Sequence, residues 1–335
     1  MKRVIMIKSD KIFEIVIIVA AVILFFVVFL QKPATIVAGA VIDSDSSMDT
    51  YSDTQWYVNN PGFYMGYALG VGEKLNSVKG IDMNVTKAWD HIKKTGVFNR
   101  EVVVAVIDTG VDYSHPDLSG HIWFNKGEVE GDHIDNDNNG YIDDYYGWDF
   151  YHDDASVCHY EKGTKIALTN DSDNHGTHIA GIIAAVADNK IGIAGVASNI
   201  NIKIMILKIN GGKDDEGKMS DAIEAIKYAE MMGADICNLS WGTTEYSDEL
   251  YETMKESDML FVAVAGNGGD DNDITPLYPG NFELDNLISV TSINAEGEMP
   301  FFSNYGAKTV DIAAPGNDIY STIVGGGYGT MSGSS

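Results

Sequence analysis

The chain has 335 residues, 45% hydrophobic and 10% aromatic, enough apolar material to bury a sizeable core and to exclude global disorder. It carries 22 Lys and Arg against 49 Asp and Glu, a formal net charge of -27. Residues 1–40 hold five basic and two acidic side chains, a balance of +3, which leaves -30 on residues 41–335; such a field repels phosphate backbones and argues against nucleic-acid binding.

In chain order, Lys2, Arg3, Lys8 and Lys11 precede an apolar stretch from Ile12 to Leu30 broken only by Glu14. Its unbroken part, Ile15 to Leu30, has 16 residues. That falls between a signal h-region of about 7–15 residues and a spanning helix of about 17–25. Ala38-Gly39-Ala40 supplies the small-residue pattern a signal peptidase accepts, so residues 1–40 read as a cleaved signal or a retained membrane anchor. Both readings export the body, and residues 12–30 are then the one part that meets a membrane. Residues 41–79 are an amino-terminal arm. Beyond residue 100, Val102–Ile107, Lys203–Leu207, Asp235–Leu239, Leu260–Val264 and Leu287–Thr291 read as buried strands. Helical spacing marks 178–187 and 220–232, the second with Ser220 as N-cap and Gly233 as stop. Strand–helix alternation predicts a three-layer α/β fold: a mostly parallel sheet with helices on both faces. The polar stretch 121–174 reads as one long surface insertion, and its His121, His133, His152 and His159 as solvated. Cys237 reads as a small core residue, and the two cysteines demand no bridge.

Three segments fall where such a sheet places active residues, at strand carboxyl ends and helix starts. Asp108 follows directly on an apolar strand and precedes Thr109-Gly110. His175 opens the run Asn174-His175-Gly176-Thr177-His178-Ile179-Ala180-Gly181, whose small residues permit close helix packing. Met331-Ser332-Gly333-Ser334-Ser335 is a small-residue turn able to present a hydroxyl. Separately, Asp135, Asp137, Asn139 and Asp143 place oxygen ligands at alternating positions around Gly140, the pattern of an EF-hand-like calcium loop, although Tyr146 stands where the bidentate Glu belongs.

With their surroundings these segments resemble the subtilisin-like serine peptidases, the subtilase family. The Asp108 segment, His115-Pro116-Asp117-Leu118, the block at 175–178, Asn238-Leu239-Ser240-Trp241-Gly242, Val264-Ala265-Gly266-Asn267-Gly268 and Ala313-Ala314-Pro315-Gly316 match in order. The likeness runs from about Gly80 to the end, which makes residues 80–335 the peptidase domain. It implies a serine endopeptidase that hydrolyses protein or peptide substrates as a monomer and without a catalytic cofactor. His175 would be the general base, Asp108 its orienting partner, and the Asn267 amide an oxyanion donor. Ser335 fits the nucleophile position, with Ser332 and Ser334 as alternatives. Ser240, Trp241 and Gly242, with Ala265, Gly266 and Asn267, match the two segments that wall the primary specificity pocket, and their small residues predict a roomy one. Trp241 either joins that wall or packs away from it. Asp117 matches a ligand of the family's structural calcium, together with the Asn189 side chain and the carbonyls of Ala187, Ile191 and Ile193; Asp49 is a looser candidate. A sequence that stops at Ser335 reads as truncated at the nucleophile, so this piece is expected to be weakly active or inactive and the complete chain active. The segment ahead of Gly80 is too short for the family's usual inhibitory propeptide.

Two rivals remain. One is a non-catalytic, calcium-bound extracellular protein on the same fold. The other is a zinc hydrolase built on His175 and His178 with Asp171 and Asp173 nearby, which lacks the Glu expected as its base.

Overall fold

A computed structural model of the protein describes residues 49–68, 71–96, 100–159, 173–211 and 217–335. The expected signal or anchor, and Asp171, lie outside the described residues. Among the described residues no helix is long and apolar enough to cross a membrane.

An antiparallel hairpin, β1 (Phe63–Ala68) and β2 (Val71–Asn76), leads through α1 (Val85–Thr95) into β3 (Val102–Asp108). Then follow β4 (Gly147–Asp149), α2 (Asn174–Ala184), β5 (Ile202–Lys208), α3 (Met219–Met231), β6 (Ile236–Leu239) and α4 (Asp248–Glu256). The chain continues as β7 (Leu260–Val264), β8 (Leu287–Ile293) and β9 (Ile312–Pro315), and closes on an antiparallel hairpin, β10 (Ile319–Ile323) and β11 (Gly327–Met331). Strands β3 to β9 make one parallel sheet in the order β4-β5-β3-β6-β7-β8-β9.

Alternation within each strand builds two cores. Val104 and Val106 of β3 join Ile204, Ile206, Ile236, Val262 and Val290 on one face, beneath Ile179, Ile182 and Ile183 of α2. Val103, Ala105 and Ile107 join Met205, Leu207, Cys237 and Phe261 on the other, beneath Ala222, Ile226 and Ala229 of α3 and Leu250 and Met254 of α4. A strand buried on both faces has no polar side to show, which is why VVVAVI reads as an unbroken apolar run. The amino-terminal arm belongs to this body: Trp56 and Tyr57 are buried in the α2-side core.

Three elements differ from the sequence reading, each through tertiary contacts. Helix α2 begins four residues earlier than 178, because the Thr177 N–H (3.1 Å) and hydroxyl (2.7 Å) both bond to the Asp173 carbonyl and close a turn there. It ends three residues earlier than 187, where Val186 N–H turns to the Asp117 carbonyl (2.8 Å). At α3 the Lys218 N–H is capped by Asp221 (3.1 Å) in place of any cap from Ser220. The stretch 121–174 is also more than a surface insertion. It contributes β4 to the sheet edge, and Trp123, Trp148 and Phe150 are buried in the second core.

Helix α2 is clamped to the final hairpin. Ser321 Oγ donates to the His178 carbonyl (2.8 Å) and Thr322 Oγ1 to the Thr177 carbonyl (2.7 Å). The Nε2–H of fully buried His178 is shared between the carbonyls of Ile319 and Gly329, each at 3.1 Å, while its Nδ1 has no partner among the described residues. Burial pulls His178 down to a pKa of about 3. An unfolded chain protonates it near 6.5, so between pH 6.5 and about 3 the unfolded state holds the extra proton and stability falls as pH falls, by up to about 1.4 kcal/mol per pH unit. Denaturant unfolding at pH 4 to 7 should therefore show a shallower acid limb in His178→Gln than in the native protein, with no change in pH dependence above 7.

Candidate active site

Asp108 ends β3 at the carboxyl edge of the sheet, and His175 is the second residue of α2. Both are buried, and His175 Nδ1 is hydrogen-bonded to Asp108 Oδ1. The same carboxylate oxygen accepts the Thr109 N–H (2.6 Å), and Thr109 Oγ1 accepts the Gly176 N–H (3.1 Å). These bonds tie the strand end to the helix start on both sides of the pair. Close approach is obligatory here: a Cβ on Gly176 would lie 2.3 Å from the Gly110 carbonyl oxygen. Beneath the pair, wholly buried Lys208 donates to Asp173 Oδ1 (2.6 Å) and to the Thr109 carbonyl, which joins β5 to both segments. The sequence reading had no role for Lys208, and nothing local in KIMILK marks it, since its partners lie 35 and 99 positions away.

The three candidate serines occupy different situations. Ser332 Oγ accepts the Asp318 N–H (2.9 Å) within the base of the hairpin. Ser334 is buried; its Oγ accepts the Gly266 N–H (3.0 Å) and its own N–H donates to Asn267 Oδ1 (2.7 Å). The Gly333 N–H is held by the Gly316 carbonyl (2.7 Å). Ser335 is buried, and its Oγ has no partner among the described residues; the same is true of Asn267 Nδ2. So the turn 333–335 is docked on residues 266–267 with one hydroxyl and one amide N–H₂ left uncommitted.

The turn bearing Asn267 is braced by two amides that sequence reading missed. Buried Asn304 donates to the Ala265 carbonyl (3.0 Å) and to Asn272 Oδ1 (2.9 Å), while its Oδ1 accepts the N–H groups of Gly268 (2.7 Å) and Asp270 (3.0 Å). Asn272 adds a second bond to the Ala265 carbonyl (2.7 Å).

Ser240–Gly242 and Ala265–Asn267 approach each other around Leu277. Its Cδ2 would stand 2.8 Å from a Cβ on Gly242 and 2.7 Å from one on Gly266. Thr243 and Tyr278 exchange N–H···O bonds (2.8 and 2.7 Å) and fix Leu277 in that position. This side chain lies between the two segments expected to wall the pocket. Ser240 is buried against Asn238 Nδ2 (2.8 Å), and Trp241 packs against the α3/α4 core, away from the wall.

Two oxygen-rich places are candidates for calcium. Asp117 is wholly buried and no Lys or Arg pairs with it among the described residues. Its Oδ1 accepts from Asn189 Nδ2 (2.7 Å), and its Oδ2 from the Ile193 N–H (2.9 Å) and the Tyr328 hydroxyl (3.2 Å). Burial pushes its pKa up to about 6. Gly192, at φ +53°, lets the loop wrap this carboxylate, since a Cβ there would lie 2.1 Å from Asp117 Oδ2. Asp49 accepts the N–H groups of Asp188 (2.9 Å) and Lys190 (3.0 Å) on the same loop, beside Ala187 and Ile191. A buried carboxylate with no Lys or Arg partner among the described residues, wrapped by the loop at 189–193, fits a divalent hard ion. At the second place the structure gathers Asp135 and Asp137 with Glu128, which sequence spacing did not indicate. Asn139 lies alongside, bonded to Asp137 and Asp144 (3.4 and 2.7 Å). Asp143 is not among these mutually close ligand atoms; its carboxylate accepts the N–H groups of Asp132 (3.1 Å) and His133 (2.9 Å). The zinc rival loses its geometry: His178 is spent on the hairpin carbonyls and His175 Nδ1 on Asp108.

A sequence model of the subtilase family matches residues 99–335. Subtilisin-like protease 2 of Plasmodium falciparum (isolate 3D7) is 34% identical over 261 residues, 76% of this chain and 17% of that protein. The thermophilic serine proteinase of Bacillus sp. (strain AK1) is 35% identical over 280 residues, 82% of this chain and 56% of the relative. The major intracellular serine protease of Bacillus subtilis (strain 168) is 35% identical over 245 residues, 72% and 66% of the two chains. A crystal structure of a cold adapted subtilisin-like serine proteinase superposes with a TM-score of 0.49 at 27% identity, covering 70% of this chain and 69% of that one. The chain thus spans about a sixth to two thirds of the length of these curated relatives. With the family matched across some seven tenths of its residues, this chain belongs to the subtilase family.

Proposed function

We propose that the protein is a serine endopeptidase in which Ser335 attacks the scissile carbonyl of a protein or peptide substrate. The observation that carries this reading is the buried His175–Asp108 hydrogen bond at the junction of β3 and α2. Asp108 fixes the tautomer in which His175 Nδ1 carries the proton, leaving Nε2 as the base that takes the seryl proton and returns it to the leaving amine. Asn267 Nδ2 and the Ser335 N–H are the donors assigned to the oxyanion, and the bond from the Ser334 N–H to Asn267 Oδ1 turns that amide's N–H₂ away from the backbone it braces. Removing such a donor costs about 3 kcal/mol of transition-state stabilisation, a figure found on a subtilisin itself. The non-catalytic reading has no use for a docked serine with an uncommitted hydroxyl. A substrate strand adds alongside Ser240–Gly242 and Ala265–Asn267, and Leu277 sets the depth of the first side-chain pocket. Calcium at Asp117, Asn189, Ala187, Ile191, Ile193 and Asp49 staples the arm to the body, with a second ion at Glu128, Asp135, Asp137 and Asn139. Export through residues 12–30 and action as a monomer complete the reading, both resting on the sequence alone.

In the full-length protein a fluorophosphonate probe should label the wild type, Ser332→Ala and Ser334→Ala but not Ser335→Ala. Turnover by Ser335→Ala should fall about a millionfold, the loss seen when a subtilisin loses its nucleophile. Labelling that persists in Ser335→Ala refutes the assignment.

Leu277→Ala should deepen the pocket and raise kcat/KM for substrates with Phe or Tyr before the scissile bond about tenfold relative to those with Ala, as measured on a matched peptide series.

Chelation should lower the Tm of the wild type by roughly 5–10 °C, the effect of a ligand held at about 100 times its Kd on a domain of this size. In Asp117→Asn that difference should shrink, and an unchanged Tm on chelation of the wild type would remove calcium from the reading.

A further inference from the structure

Two of the four histidines set aside as solvated, His152 and His159, converge on a buried acid. Asp149 ends β4 and is wholly buried. Its Oδ1 accepts the N–H groups of Tyr151 (2.9 Å) and His152 (3.0 Å), which fold the chain back over the strand end. Its Oδ2 faces two imidazoles, His152 Nδ1 at 2.8 Å and His159 Nε2 at 3.8 Å. The two rings stand 4.7 Å apart, inclined at 56°. All three candidate ligand atoms lie within 4.8 Å of one another. Among the described residues the only ion-pair partners of this buried carboxylate are those imidazoles.

We propose that Asp149, His152 and His159 form a site for one divalent transition-metal ion of the zinc class, separate from the calcium sites and from the catalytic histidine. Two imidazole nitrogens and one carboxylate oxygen are a borderline-soft set that suits zinc. Calcium would need six to eight oxygens, and here one carboxylate oxygen is already committed to backbone N–H groups. Around a tetrahedral ion with bonds of about 2.0–2.1 Å the ligand atoms lie about 3.4 Å apart, so separations of 2.8 and 3.8 Å require shifts of only about half an ångström. The imidazole side chains are 44% and 40% exposed, which leaves an entry path and a fourth position for water. On binding, the proton between His152 Nδ1 and Asp149 Oδ2 leaves for solvent while Nε2 of the ring carries the one N–H of a neutral imidazole, so the Nδ1 lone pair is free to take the metal; no electron transfer is involved. The bonds Asp149 Oδ1 makes to backbone hold the carboxylate in place, as outer hydrogen bonds do in metal sites.

The location gives the ion something to hold. The His159 N–H donates to Asp173 Oδ2 (2.5 Å), and Asp173 precedes α2 immediately. The Val157 carbonyl accepts the Val111 N–H (3.1 Å), three residues past Asp108. A metal bridging β4 to His159 therefore cross-links the loop that lies between the Asp108 and His175 segments.

The test is cobalt(II) titration of the calcium-saturated full-length protein, followed by zinc displacement. The expected result is one equivalent of cobalt with the visible d–d bands of a four-coordinate site, lost on adding zinc. His152→Gln/His159→Gln should weaken binding at least about 100-fold while its metal-free Tm stays close to that of the wild type. A His175→Ala variant should bind as the wild type does. No cobalt bands in the wild type, or bands that survive the double substitution, overturn the proposal. So do bands that vanish in His175→Ala, which would place the ion on the catalytic imidazole. If the double variant has a lowered metal-free Tm, single His152→Gln and His159→Gln substitutions decide the matter, each expected to weaken binding at least about tenfold.

Discussion

The hydrogen bond between His175 and Asp108 is the constraint to which the rest of the structure answers. It requires a helix start and a strand end to meet with their backbones nearly touching, which Gly176 against Gly110 allows. It also requires a carboxylate to be buried where the sheet offers no solvent. That burial is tolerable because the surrounding polar groups are paired: Thr109 with both Asp108 and Gly176, and Lys208 with Asp173 and the Thr109 carbonyl. Breaking one side of a wholly buried ion pair such as Lys208–Asp173 typically costs about 3–5 kcal/mol, because the remaining charge stays buried without its partner. The network therefore fixes geometry more than it adds net stability, and geometry is what the base proposed at His175 would need.

The two halves of the candidate site share a support. The β10–β11 hairpin grips α2 through Ser321, Thr322 and His178, and the chain leaving β11 carries residues 332–335. The helix that presents His175 and the turn that presents Ser335 thus rest on the same two-stranded hairpin, so a shift of the hairpin moves both together. The turn's far side is pinned to Gly266, Asn267 and Gly316 at the carboxyl ends of β7 and β9. Sheet, helix and hairpin each supply one boundary, and residue separations of 67 or more collapse to hydrogen-bond distance.

What the sequence revealed was what is local. β-branched runs gave the strands because double burial leaves its mark on every residue of a strand, and Asp108, His175 and Asn267 stand in short blocks whose neighbours announce them. What it hid was relational. Lys208, Asn304 and Leu277 are unremarkable where they stand and acquire meaning from partners tens of residues away, and Glu128 from carboxylates across a loop turn. β4 was hidden by its length: three residues inside a polar stretch carry too little periodicity to register, and Trp148 is committed to the sheet only by pairing with Leu207. Asp143 misled for the opposite reason, since alternation in a loop does not say which way a carboxylate turns.

The acidic surplus takes on a structural sense in this light. The body's -30 is not spread only as solvated surface; Asp49, Asp108, Asp117, Asp144, Asp149 and Asp173 are all buried, each accepting N–H or O–H donors from loops that lack regular structure. A carboxylate has about four acceptor positions, so a single side chain can satisfy several backbone N–H groups that no strand or helix would pair. Loops long enough to form sites at the end of the sheet would otherwise carry orphaned donors into the interior. Buried acids thus organise the loops, and Asp117 and Asp149, with which no Lys or Arg pairs among the described residues, are the ones left as candidate places for cations.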